Sequence, residues 1–245
     1  MTITTQPTAA RTVPMDPLRK TAFVAGALYL ITFLASIPAL ALLDPVLSNP
    51  DYIVGSGADT SVVLGAILDV INALACIGTA IVLFPVVKRQ SETLALGFVT
   101  SRLLEAAIIV GGVVSLLSVV TLRQDLAGAT GADAASLVTV GQSLVASRDW
   151  TVLLGPGLMA AVNALLLGTL MYRSGLVPRV IPLLGLIGAP LLLASVTATL
   201  FGVFEQFAPP ALILVLPVAL WELSLGTWLV VKGFKPSPIT AAAGS

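Results

Sequence analysis

The chain has 245 residues, of which 57% are hydrophobic and only 10% charged, with 12 Lys+Arg balancing 12 Asp+Glu. A soluble domain carries roughly 25% charged residues, so this composition and the mean hydropathy of +1.05 exclude one. Zero net charge excludes a basic nucleic-acid binder. Histidine is absent and Cys76 is the single cysteine; this excludes His-ligated zinc, an axial-His haem, a His-based triad and an intrachain disulfide.

A membrane span needs about 20 apolar residues, because a core of ~30 Å is crossed at ~1.5 Å per residue. Residues 1–17 are rich in Thr, Pro and Ala and predict a disordered tail. Six spans are then predicted. The first covers Thr21–Leu43, the second Ser61–Val87 and the third Leu94–Leu122. The fourth covers Trp150–Tyr172, the fifth Val180–Phe204 and the sixth Pro209–Val231. Arg19-Lys20 before the first run has the look of a signal peptide. The run outlasts a secretory h-region of 7–15 residues and ends at Asp44, so it reads as a span. The longest connection, Arg123–Asp149, opens with the flexible, Gly/Ala-rich segment 127–135. Leu137, Val140, Leu144 and Val145 then fall near one helical face, as expected of a short helix lying on the leaflet. Residues 18–232 form the transmembrane domain and 233–245 a short tail.

Backbone groups in lipid must bond internally, so the spans are helices. Strand-like alternation is missing, and the expected fold is all-α: a polytopic bundle of six transmembrane helices. Arg11, Arg19, Lys20, Lys88, Arg89, Arg173, Arg179, Lys232 and Lys235 lie on one side of such a bundle. Arg123 and Arg148 lie on the other, so both termini are expected in the cytoplasm.

Polar residues inside spans cost about 2.5–3.5 kcal/mol each at a helix centre, so each must face protein or water. Span two carries Asp69 and Asn72, with Cys76 and Thr79 following on one stripe. Span three carries Arg102 and Glu105, one turn apart. Span four carries Asn163, and span six carries Glu222 beside Trp221. At ~1.5 Å per residue, Arg102, Glu105 and Glu222 lie about 12, 17 and 15 Å from the same end of their spans. Arg102 is therefore expected to bridge Glu105 and Glu222. Such a trio keeps one negative charge if all three ionise, so one carboxyl stays protonated or accepts a cation. The bland alternative is that the layer only holds the helices in register; interhelical hydrogen bonds contribute about 0.6 kcal/mol each. Cys76 reads as a small buried apolar residue and Asn163 as a packing hydrogen bond.

Small residues mark close helix contacts: Gly157, Ala161, Ala164 and Gly168 in span four, Gly185 and Gly188 in span five, and Gly111-Gly112 in span three. Pro190 and Pro217 lie within spans. No Gly-rich phosphate loop with Lys occurs.

Several motifs fall in order along the chain. They are Phe33-Leu34-Ala35-Ser36-Ile37-Pro38, Asp51-Tyr52-Ile53-Val54-Gly55 and Phe84-Pro85-Val86-Val87-Lys88-Arg89-Gln90. Ser101-Arg102-Leu103-Leu104-Glu105 and Tyr172-Arg173-Ser174-Gly175-Leu176-Val177-Pro178-Arg179 follow. Over residues 18–232 the chain resembles the bacterial integral membrane proteins grouped as domain of unknown function 4386. The resemblance implies a bacterial inner-membrane protein of about six helices and supplies no reaction, cofactor or substrate.

Three functions fit these residues. The first is a membrane binding or accessory protein with a buried polar layer. The second is a small solute or ion-coupled transporter using Arg102, Glu105 and Glu222. The third is a membrane-embedded enzyme acting on a lipid-like substrate. The candidate polar site is Arg102, Glu105, Glu222, Asp69, Asn72 and Asn163, with no metal and no cofactor implied. Expected partners are the lipid bilayer, a small-molecule or lipid ligand, and a second copy or another membrane protein; nucleic acid is not expected.

Overall fold

A computed structural model describes residues 15–55 and 57–241. The predicted N-terminal tail falls largely on residues 1–14, outside the described residues. The chain is all-helical among the described residues. Its helices are α1 (Pro17–Leu47), α2 (Asp59–Val87), α3 (Glu92–Asp125) and α4 (Ala132–Val152), then a π-helical segment (Leu153–Met159). The remainder are α5 (Ala160–Ser174), α6 (Val180–Leu200), α7 (Pro209–Val231) and α8 (Pro238–Ala241). Six helical stretches are long and apolar enough to cross a membrane, and the membrane-spanning helical bundle expected from composition is what the chain forms.

Each stretch packs against the next in sequence, and α1 closes the ring against α7. Short turns explain this order, because they leave consecutive helices no distant partner. The start of α1, the end of α7 and the turns 88–91 and 175–179 share one end of the ring, called here the termini end. The α3–α4 connection marks the other, the hairpin end.

The fourth stretch departs from expectation. The predicted interfacial helix is no separate element lying on a leaflet. It is the first half of one helical rod, Ala132–Ser174, 43 residues long. It pairs antiparallel with α3 along its length, burying Leu137 against Val119, Val120 and Leu116. The interruption comes lower down, at Pro156. Proline lacks the N–H of a regular helix and clashes with the preceding turn; the wider π turn over Leu153–Met159 absorbs it without ending the rod. The fifth span also stops earlier than predicted. Gly202 takes φ of 70° and turns the chain after Leu200, leaving Phe201–Phe204 outside the helix.

Two apolar cores hold the ring, with a small third cluster of Ala73, Cys76, Ala106 and Ile109 between α2 and α3. The larger fills the termini half, with Tyr29, Leu83, Phe98, Leu167, Met171, Trp221 and Leu225. The smaller sits at the hairpin end, where Tyr52 and Ile53 of the α1–α2 connection cover Leu43, Val62 and Leu116. A polar clamp secures this second core. Asp59 accepts from Tyr52 Oη at 2.8 Å, from Gln124 Nε2 at 2.9 Å and from Arg123 Nη1. Burial, and then donation to Asp59, push the Tyr52 phenol above its usual range.

The predicted small-residue contacts have definite partners. Gly157 faces Val196 and Gly168 faces Leu186 on α6, while Gly185 faces Trp221 and Gly188 faces Pro217 on α7. Gly112 faces Thr151, whereas Gly111 faces open space.

At the termini end, Arg19 reaches across to the end of α7. Its guanidinium donates to the carbonyls of Leu229 at 2.8 Å, Val230 at 2.6 Å and Val231 at 3.2 Å. These are the acceptors a helix end leaves unpaired, and they carry the negative pole of the helix dipole. Arg19→Ala is expected to cost about 1.5 kcal/mol, the lower range for hydrogen bonds to a charged group, since Arg19 is only half-buried. Faster trypsin cleavage at Lys232 together with a lower melting midpoint is the expected result; unchanged cleavage would discount the clasp.

Candidate functional site

The polar residues of four spans meet in one layer. Arg102 on α3 is 2% exposed. Its Nη1 donates to Glu105 Oε2 at 3.0 Å and its Nη2 to Glu222 Oε1 at 2.7 Å. Helical periodicity places Glu105 one turn above Arg102 on the same face. Glu222 comes from α7, which the ring closure brings alongside α1 and across from α3. Asn163 Nδ2 on α5 donates to the same Glu105 oxygen at 2.7 Å. The guanidinium lies over the Tyr29 ring at 5.1 Å and the Phe98 ring at 5.9 Å, both of which belong to the larger core. The layer therefore rests directly on that core. Cys76 is more than an apolar filler, since its Sγ lies 3.5 Å from Arg102 Nη1.

Nearer the hairpin end lies a second ion pair, which sequence reasoning missed. Arg148 Nη2 approaches Asp69 Oδ2 at 3.4 Å, and Arg148 is 6% exposed. Counted along the sequence, Arg148 sits just outside span four and reads as a loop cation. In the structure it lies on the continuous rod and turns inward. Gly112 lets α3 and the rod approach closely at this level: a Cβ there would stand 2.3 Å from Thr151 Oγ1, beside Arg148. The signals available in the sequence were Asp69, an acid deep in a span with no assigned partner, and the small residue on α3 opposite.

Between the two apolar cores and the two ion-paired levels lies a cavity of about 340 Å³. Asp69, Asn72 and Cys76 of α2 form one wall, Arg102, Glu105 and Gly112 of α3 a second, and Arg148, Thr151 and Pro156 of the fourth span a third. The seven steps from Asp69 to Cys76 carry its α2 wall over roughly 10 Å. Asn163 lies outside the lining and acts behind it, holding Glu105. From α1 come Thr32, Phe33, Ser36, Ile37 and Leu40, but α7 contributes Glu222 alone, joined by Phe207 from the segment before it.

That imbalance locates the open side. Gly26 and Gly226 bring α1 and α7 into backbone contact in the termini half. Farther up the two helices present no shared wall. Ile37, Leu40 and Phe207 line the cavity and are yet 67%, 46% and 51% exposed. The mouth thus lies at the side of the bundle, between α1 and the approach to α7, with an apolar rim. Glu222 retains 16% of its side-chain exposure, against 6% for Glu105.

No curated protein and no solved structure matches the chain. A family match covers residues 24–233, which hold all seven polar residues of the two levels, and the chain accordingly belongs to the family described as Domain of unknown function (DUF4386).

Proposed function

We propose that this multi-pass protein sits in the bacterial inner membrane with both termini cytoplasmic and binds a small molecule in the cavity between its two charged levels. The cavity carries the reading. A layer serving only to hold helices in register needs no room beside it, whereas here about 340 Å³ adjoins five ionisable side chains. The orientation rests on Arg19, Lys20, Lys88, Arg89, Arg173, Arg179, Lys232 and Lys235 at the termini end against Arg123 at the other. It places the mouth in the outer half of the bilayer. Asp69, Asn72, Arg102, Glu105 and Glu222 are the contacting residues, and Asn163 orients Glu105.

The transporter reading calls for a wet path from the layer to both ends. Tyr29, Phe98 and Leu83 pack the termini side closed, which favours binding over passage. The mouth at the side of the bundle would equally admit a lipid-like substrate to an enzyme, but Glu105 is already held by Arg102 and Asn163, which disfavours it as a catalytic base.

A thermal-shift screen of solutes, lipids and ions on the purified chain tests this. A ligand binding only the folded state stabilises it by about 2.7 kcal/mol at a hundredfold excess over Kd. At least one compound is expected to raise the midpoint of the wild type. Ser36→Trp, which fills the cavity from α1, is expected to abolish that shift while melting cooperatively itself. A shift that survives in the filled variant would place binding elsewhere and defeat the proposal.

A further inference from the structure

We infer that the cavity takes an amphipathic organic monocation, with its charged head against the free carboxylate oxygen of Glu222 and its apolar part in the mouth between α1 and α7. This rests on the cavity being a binding site. Charge supplies the first argument. Two guanidiniums, Arg102 and Arg148, face three carboxylates, Asp69, Glu105 and Glu222. With all five ionised the cavity keeps one negative charge, in surroundings where an unbalanced charge is costly. An anionic ligand would double the imbalance, and a neutral one would leave it.

Exposure identifies which carboxylate is available, since Glu105 Oε1 and Glu222 Oε2 both lack a hydrogen-bond partner among the described residues. Asp69 is occupied by Arg148. Glu105 has its Oε2 shared by Arg102 and Asn163 and is 4% exposed. Glu222 gives only Oε1 to Arg102. Glu222 lines the cavity and is the carboxylate of this layer that keeps the greater side-chain exposure, 16% against 6% for Glu105. The donor set disfavours a metal cation: both acids of the layer share one guanidinium, and no His, Cys and acid cluster suited to a metal forms among the described residues. An ammonium needs only one such oxygen, with the rest of its surface against apolar atoms or rings. The rim provides them. Phe33, Ile37, Leu40 and Phe207 line the route from Glu222 to the outside of the bundle. A head that charges and a rim that does not select an amphiphile over a small hydrophilic ion.

The test uses the full chain in nanodiscs of zwitterionic lipid, with binding to empty discs subtracted. Three probes share one tail: decyltrimethylammonium, decanol and decyl sulfate. The cation is expected to bind at least tenfold more tightly than either other probe. Glu222→Gln is expected to erase that preference. It leaves Arg102 paired with Glu105, so the variant should fold, and its own melting curve checks this. Asp69→Asn, which removes a carboxylate already occupied by Arg148, is expected to reduce cation affinity less than Glu222→Gln. Equal binding of cation and alcohol, or full cation affinity in folded Glu222→Gln, overturns the assignment. Should all probes then still be displaced by Ser36→Trp, the pocket stands and only its cation selectivity falls. Failure of all three probes to bind wild type overturns the assignment too; the ligand screen with Ser36→Trp then decides separately whether the cavity binds anything.

Discussion

Arg102→Met should be the most damaging single substitution in the bundle, lowering stability by about 3–5 kcal/mol, the usual cost of breaking a buried ion pair by removing one partner. The guanidinium is 2% exposed and joins α3 to α7 through Glu222. Without it, Glu105 and Glu222 are left facing one another in a medium that stabilises neither charge. The triple variant Arg102→Met, Glu105→Gln, Glu222→Gln should recover most of the loss. Replacing a whole buried ionic set by neutral groups is often close to neutral, even though breaking it is not. Melting midpoints of the single and triple variants in one detergent decide the matter. A single variant that melts with the wild type would mean that the layer contributes no structural energy; a triple variant as weak as the single would locate the energy in packing over Tyr29 and Phe98 instead.

Gly26→Leu should be next, at about 3 kcal/mol, the upper part of the range for overpacking. A Cβ at Gly26 would stand 2.6 Å from the Gly226 carbonyl oxygen, 2.8 Å from the Val230 nitrogen and 2.9 Å from Leu229 Cβ. The first two are backbone atoms and cannot swing aside, so α1 must move off α7. Tyr29, one turn along, would leave the Arg102 guanidinium with it. Gly111→Leu is the matched control, because nothing lies within 4 Å of a Cβ there. Its midpoint should hold or rise slightly, as leucine favours helix over glycine. If both variants lose the same stability, the close approach of α1 and α7 is not what binds them.

The layer around Arg102 could be read from the sequence because so few charges enter the spans. Rise per residue fixes their depth, and only three fell at a common level. The pairing across α3 and α7 followed, and Asn163 was legible as a hydrogen-bonding residue although not as the partner of Glu105. Arg148 was hidden for the opposite reason. Hydropathy marks where lipid stops, not where a helix stops, and residues 132–149 are polar enough to read as surface. The rod continues through them because α3 offers it a partner along that length. Pro156 stands between Gly155 and Gly157, and only the packing on both sides shows why the helix widens there instead of ending. The side mouth was beyond sequence reasoning, since it depends on α1 and α7 meeting at Gly26 and Gly226 but not above.

The long antiparallel pair at the hairpin end has a practical consequence. At ~1.5 Å per residue, the 34 residues of α3 extend ~51 Å. Even at the ~20° tilt usual for membrane helices that exceeds a ~30 Å hydrocarbon core by well over a turn. Small membrane proteins are hard to image because a detergent belt hides nearly all of them. Here α3 and α4 are joined at the hairpin end by a turn in which Gly128 and Gly131 have φ of 93° and 63° and open space around them. A globular marker domain spliced in-frame at that turn, helix to helix, would give single-particle microscopy a rigid feature outside the belt while leaving the cavity and both ion-paired levels untouched.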